Sequence, residues 1–84
     1  MLNEELLKSI ELALADEWDA AHGIVQNYES DNTAAWIHAV LHKIEGDSGN
    51  SRFWYRRAGK LEHFSDEPSA ELTEIRRRLM NPAS

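Results

Sequence analysis

Apolar residues recur at intervals of three and four along the chain, and no stretch shows the strict alternation of a β-strand. Such intervals place side chains on one face of an α-helix, so each stretch predicts an amphipathic helix. Turn-forming residues separate the stretches and keep every helix short. The sequence therefore predicts an all-α fold of five helices, namely Leu2 to Leu14, Asp16 to about Tyr28, about Thr33 to Glu45, roughly Asn50 to Leu61, and a last helix within 66–80.

Local signals predict the ends of these helices. Asp16 is expected to cap the second helix, because its carboxylate can accept hydrogen bonds from the free N–H groups of a first turn. Gly46 is expected to end the third helix, since a left-handed residue after the last turn costs least as glycine. The signals expected around the last helix are Ser65 or Asp66 as its cap, Pro68 in its first turn and Pro82 beyond its end.

The layout of helix, tight turn and helix occurs twice. A shift of 31 residues aligns Ala15–Ala20 with Gly46–Ser51, and both segments begin with a small residue and an aspartate. One helical hairpin cannot bury its own apolar face, so two hairpins are expected to stack beneath a terminal helix. The sequence thus predicts a single domain with hairpins at 1–31 and 32–62 and a capping helix at 66–80.

The second hairpin carries the features of a known repeat. These features are Ala34-Ala35-Trp36, Ala39, the Gly46-Asp47 turn and the run Phe53–Ala58. In them the chain resembles tetratricopeptide-repeat proteins and their Sel-like relatives, and residues 1–31 resemble a weaker copy. The resemblance implies an α–α superhelix that binds a protein or peptide partner. The whole string is also similar to short bacterial proteins of unknown function, which implies no activity.

The same resemblance implies which residues face a partner. Trp36, Val40 and Lys43 fall where the first helix of a repeat faces the concave groove. Trp36 and Val40 are also open to a second interpretation, as core residues beneath the capping helix. The full set of candidate partner-binding residues is Trp36, Val40, Lys43, His38, His42 and Arg56.

Histidines on the third helix suggest a different site. His38 and His42 lie four residues apart with Glu45 three further on, so the three side chains share a helix face. Two imidazoles and a carboxylate at this spacing can bind zinc, and His22 can add a ligand. The residue after His38 is not glutamate, so the metalloprotease pattern is absent. Because this face lies opposite the apolar arc of its helix, a solvent-exposed polar face is expected, and a metal site is the alternative.

Charge is distributed unevenly along the chain. The net charge is −6, with −7 in residues 1–31, where one lysine stands against eight carboxylates, and +1 in residues 32–84. This charge argues against nucleic-acid binding, which draws most of its affinity from neutralised phosphates. This asymmetry favours a head-to-tail contact between copies or a partner bound in one orientation. The alternative is that the helix faces are simply solvated and differ in charge. The basic clusters are Arg52, Arg56 and Arg57, and Arg76-Arg77-Arg78.

No residue pattern of a familiar catalytic centre is present. The chain has no cysteine, no serine in a glycine elbow and no glycine-rich phosphate loop, so neither enzyme activity nor a cofactor is expected. No apolar run approaches the roughly 20 residues of a membrane span, and the N-terminus is acidic where a secretory signal is basic. We therefore expect a cytoplasmic, non-catalytic protein–protein interaction module. The alternatives are a metal-binding protein and a self-associating structural protein, such as a homodimer.

Overall fold

Five α-helices follow one another through residues 2–81, the part of the chain that the computed structural model describes. They are α1 (Leu2–Leu14), α2 (Trp18–Val25), α3 (Asn32–Glu45), α4 (Ser48–Ala58) and α5 (Pro68–Met80). Single 3-10 turns, Gln26–Tyr28 and Leu61–His63, follow α2 and α4. No β-strand occurs in these residues, so the predicted all-α fold of five helices is confirmed. Pro82, expected after the last helix, lies outside the described residues.

Glycines end α3 and α4 in the same way. Gly46 has a φ of 88°, and the N–H groups of Gly46 and Asp47 donate to the carbonyls of Lys43 and His42. Gly59 takes the equivalent place after α4, with a φ of 70°. A left-handed residue here lets two N–H groups bond carbonyls that the last turn leaves unpaired. The prediction for Gly46 is thus confirmed.

Asp16 ends α1 and does not cap α2, so that prediction is wrong. Its φ is 64°, and the N–H groups of Asp16 and Glu17 donate to the carbonyls of Ala13 and Leu12. This is the arrangement found at Gly46, and an aspartate adopts it more readily than most non-glycine residues. Asp16 and Gly46 lie 30 residues apart, so the structural repeat is 30 residues and not the 31 that the sequence alignment suggested.

Glu67 caps α5 in place of the expected Ser65 or Asp66. Its carboxylate accepts hydrogen bonds from two N–H groups of the first turn, at 3.0 and 2.8 Å. These bonds stabilise the charged form and lower the pKa of Glu67. Pro68 opens the helix as predicted, because the first helical residue needs no N–H.

A serine holds the two helices of each hairpin together. In the first hairpin the Ser9 hydroxyl on α1 donates to the Ala21 carbonyl on α2, at 2.9 Å. In the second hairpin the Ser51 hydroxyl on α4 donates to the Ala39 carbonyl on α3, at 2.8 Å. Ser9 corresponds to Ala39, and Ala21 to Ser51, under the 30-residue repeat. All four residues are buried, and such small side chains let the two backbones approach closely.

α3 lies at the centre of the fold and contacts α1, α2, α4 and α5. Nine consecutive residues of α3, from Ala34 to His42, are buried, because neighbours cover every side of this stretch. α5 packs against both α1 and α3, the first helices of the two hairpins, and so covers the surface that was expected to line a groove. None of the helices within residues 2–81 has the length and apolar character that a membrane span requires.

Candidate metal centre

Three histidines from two helices converge beneath the surface. His38 and His42 lie one turn apart on α3, and His22 reaches them from α2. One ligand nitrogen from each ring lies within 4.8 Å of the other two, and the Nε2 atoms of His22 and His38 are 3.1 Å apart. These three side chains are called the histidine cluster below.

The histidine cluster is not the solvent-exposed face that the helix periodicity predicted. His38 is only 3% exposed and His42 only 6%, whereas His22 is partly exposed. Periodicity on one helix identifies the side opposite the apolar arc, but it cannot show that α2 and α4 cover that side of α3 as well.

Tryptophans form two walls of the histidine cluster. The Trp18 ring stacks on His22 at a centroid distance of 4.8 Å, and the Trp54 ring stacks on His38 at 4.0 Å. Trp18 Nε1 also donates to the Leu41 carbonyl at 2.6 Å, which fixes the start of α2 against α3. Both histidine rings are therefore held by packing in addition to their polar contacts.

Glu45 lies beside the histidine cluster and contacts it through one ring. Its Oε1 atom is 2.6 Å from His42 Nδ1. An imidazole whose Nδ1–H donates a hydrogen bond to a carboxylate has an unprotonated Nε2, which is free to bind a metal ion. Metal-binding histidines commonly make this hydrogen bond through their other ring nitrogen. The sequence-based alternative named Glu45 as a ligand, but the contact with His42 fits an orienting role.

Burial favours the neutral form of two rings of the histidine cluster, His22 and His38. Desolvation, with smaller contributions from His22 and His42, lowers the pKa of His38 to about 4. Desolvation and the neighbouring His42 also lower the pKa of His22. His38 Nδ1 is buried without a hydrogen-bond partner within residues 2–81. An unpaired buried nitrogen of this kind is rare in a folded protein.

A second acidic set shares His42 but is weaker as a site. One ligand atom each of His42, Glu45 and Asp47 also lie within 4.8 Å of one another. Both carboxylates are exposed and already engaged, since Glu45 contacts His42 and Asp47 accepts the Asn50 N–H that opens α4. The histidine cluster is the better candidate because three imidazoles meet there and two of them, His38 and His42, are buried.

Most of the residues expected to line a groove face the inside of the fold. Trp36 lies beneath α5, where its Nε1 donates to the carboxylate of Glu71 at 2.8 Å, and Val40 is fully buried. Lys43 Nζ donates to the same carboxylate at 2.7 Å. Trp36 and Val40 are therefore covered by the last helix, which was the second interpretation. Arg56 remains exposed.

Sequence reasoning missed Glu71. Its carboxylate is buried between α3, α4 and α5, where it also accepts from the Tyr55 hydroxyl at 2.7 and 2.8 Å. Burial, together with this hydrogen bond, raises the pKa of the Tyr55 hydroxyl. One signal was available, because Glu71 lies on the same face of α5 as the buried Leu72 and Ile75.

Comparison of the whole chain with protein-family models, curated proteins and solved structures returns no match. The geometry of the histidine cluster is therefore the observation on which a function can be argued.

Proposed function

We propose that this protein binds one divalent transition-metal ion, with zinc as the reference case, through His22, His38 and His42. The observation that carries the proposal is the convergence of three imidazole nitrogens within 4.8 Å. Two nitrogens on one tetrahedral zinc ion lie roughly 3.4 Å apart when each bond is 2.0–2.1 Å long. The Nε2 atoms of His22 and His38 share a hydrogen bond at 3.1 Å, so they already lie close to that separation.

The protonation state of the site supports the proposal. A metal ion binds neutral imidazole, so an ordinary histidine loses affinity to protons as the pH falls below its pKa. The lowered pKa values of His22 and His38 keep both rings neutral at pH 7. Glu45 supports the third ligand, since its carboxylate beside His42 Nδ1 fixes the tautomer and makes Nε2 a stronger donor.

The donor set indicates the class of metal. Three imidazole nitrogens without a thiolate suit zinc, copper, nickel and iron, whereas magnesium and calcium prefer oxygen ligands. Three protein ligands leave a fourth tetrahedral position for water or a small anion. The leading hypothesis from the sequence was a non-catalytic interaction module. The histidine cluster does not test that hypothesis, which stays a prediction.

Calorimetric titration with zinc at pH 7 tests the proposal. The chelator-treated parent protein is expected to bind one zinc ion, and His22→Gln is expected to bind at least about tenfold more weakly. His22 is the best ligand to replace because it is only partly buried and its loss leaves the core intact. His63→Gln is the matched control, since His63 lies outside the histidine cluster and contacts Asp66.

Cobalt provides an independent measurement. Tetrahedral coordination by three imidazoles is expected to give the cobalt-loaded protein visible absorption, and His22→Gln is expected to lose that absorption. The proposal is wrong if the parent shows no zinc heat and no cobalt absorption. It is also wrong if His22→Gln binds zinc as tightly as the parent and the control variant His63→Gln do.

A further inference from the structure

The outward face of α4 carries arginines that have no acidic partner. α4 turns Ser51, Trp54, Tyr55 and Ala58 inward, so the opposite side of the helix is left to solvent. The residues on that side, called the arginine face below, are Arg52, Phe53, Arg56 and Arg57. Among the described residues, no carboxylate forms an ion pair with any of these three arginines.

The arginines of α5 differ from those of α4 in their pairing. Arg76 bonds Glu11 of α1 at 2.7 Å, and Arg77 and Arg78 both bond Glu74 within α5. All three basic side chains on α5 thus have a carboxylate, although the chain is acidic overall. The three arginines of the arginine face have no such carboxylate among residues 2–81.

An exposed aromatic ring lies within the arginine face. Phe53 is 55% exposed, the largest exposed fraction of any aromatic side chain in residues 2–81 for which the structure gives a value. Arginine and aromatic residues together are the composition that protein–protein interfaces favour. The helix dipole accounts for Arg56 and Arg57 in the last turn of α4. Arg52 lies over the Phe64 ring at 4.9 Å, but neither interaction accounts for the exposed Phe53.

The first hairpin provides a surface of opposite charge. Residues 1–31 carry a net charge of −7. Around the start and end of α2, four exposed carboxylates have no basic partner among the described residues. These residues, called the acidic face below, are Asp16, Glu17, Asp19 and Glu29. Every copy of the chain therefore carries one basic and one acidic face.

We propose that the arginine face of one copy docks on the acidic face of a second copy. Because the two faces differ, the contact is head to tail and each copy keeps one face free for another partner. The contact rests on exposed charges and one exposed aromatic ring, so we expect the association to be weak and driven by charge. Salt weakens it, since exposed charges are screened within about 10 Å at 0.1 M ionic strength. The contact uses none of the three histidines of the proposed metal site.

Sedimentation velocity over a range of protein concentrations tests the contact. At about 20 mM NaCl the average mass is expected to rise with concentration, and at about 500 mM NaCl it is expected to return to that of the monomer. A mass that stays monomeric at low salt, or a dimer that resists high salt, overturns the proposal.

Two charge-reversed variants identify the surfaces. Arg52→Glu/Arg56→Glu makes the arginine face net negative, and Glu17→Lys/Asp19→Lys leaves the acidic face without net charge, so neither variant is expected to associate with itself. Mixed at low salt, they are expected to associate, because the unchanged arginine face of the second variant meets the unchanged acidic face of the first. A mixture that stays monomeric overturns the proposal, and circular dichroism establishes that both variants are folded.

Single substitutions separate the local contact from the effect of overall charge. Arg56→Glu and Lys8→Glu lower the net charge by the same amount. Lys8 is an exposed residue of α1 and lies outside the arginine face. Arg56→Glu is expected to weaken association at least about threefold, and Lys8→Glu is expected to leave it unchanged or strengthen it. Equal weakening by both would show that only net repulsion is at work and would overturn the proposal.

Discussion

Replacement of Glu71 by leucine is expected to destabilise the fold by about 3–5 kcal/mol, because it removes one partner of a buried ion pair. The Glu71 side chain is 1% exposed, and its carboxylate joins three helices. It accepts from Trp36 Nε1 and Lys43 Nζ of α3, and from the Tyr55 hydroxyl of α4.

The magnitude follows from what each donor loses. Trp36 N–H and the Tyr55 hydroxyl are buried, and leaving each without an acceptor costs about 1–3 kcal/mol. Lys43 loses less, because its Nζ also donates to the backbone carbonyls of His63, Phe64 and Asp66. Leucine recovers part of the loss through its own burial. A chain of this length has a total stability of about 4–13 kcal/mol, so the loss is a large fraction of it.

Urea unfolding followed by tryptophan fluorescence measures the effect. Glu71→Gln is the matched control, since glutamine keeps the shape and one acceptor oxygen, and it is expected to lose about half as much stability as the leucine variant. Lys43→Met removes the other partner of the ion pair. The double variant is expected to lose at least about 1 kcal/mol less than the sum of the single variants, because the pair is removed together. A loss below about 1 kcal/mol in Glu71→Leu, or simple additivity, would refute this reasoning.

Three further predictions concern single positions. The free energy of unfolding of the metal-free protein is expected to fall by about 1–3 kcal/mol between pH 6.5 and about 4. This range includes a reduction for the screening of the His38 charge by solvent. The unfolded chain binds a proton at His38 near pH 6.5, whereas the folded chain binds it only near pH 4, so stability is lost across that window. Urea unfolding at several pH values measures this, and a flat profile for the parent, or one that His38→Phe leaves unchanged, would contradict it. Asp16→Gly is expected to stabilise the fold by about 0.5–1 kcal/mol, because glycine adopts a φ of 64° without a Cβ clash. Gly46→Ala is expected to destabilise it by about 1 kcal/mol through backbone strain alone, since nothing lies within 4 Å of a Cβ there. Unfolding curves that shift in the same direction for both variants would contradict this pair of predictions.

Features set by neighbours in the chain could be predicted from the sequence. The helix count follows from apolar spacing, and Gly46 and Pro68 are identified by backbone requirements that few other residues meet. Asp16 was misassigned because an aspartate serves equally well as a cap or as a left-handed residue after a helix. That ambiguity also moved the repeat alignment by one residue, since it matched Asp16 to Asp47 and not to Gly46.

Features set by packing between helices could not be predicted. The histidines were expected in solvent because their face of α3 opposes the apolar arc, and only the position of α2 and α4 shows that this face is covered. Residue type and spacing did identify His38, His42 and Glu45 as a candidate metal-binding set, with His22 as a further candidate ligand. The burial of Glu71 depends on Trp36, Lys43 and Tyr55, whose convergence no local pattern contains.

The serine–alanine contact of the two hairpins has a consequence for how internal duplication is detected. Ser9 donates from the first helix of its hairpin, whereas Ser51 donates from the second helix of its own. Either helix can supply the hydroxyl, because every backbone offers a carbonyl to receive it. A duplicated hairpin can thus exchange donor and acceptor while keeping the bond. What the two halves then share is the pair of contacting positions, one serine and one small residue, and not the residue at each position. An identity score that compares one position at a time counts the exchange as two mismatches.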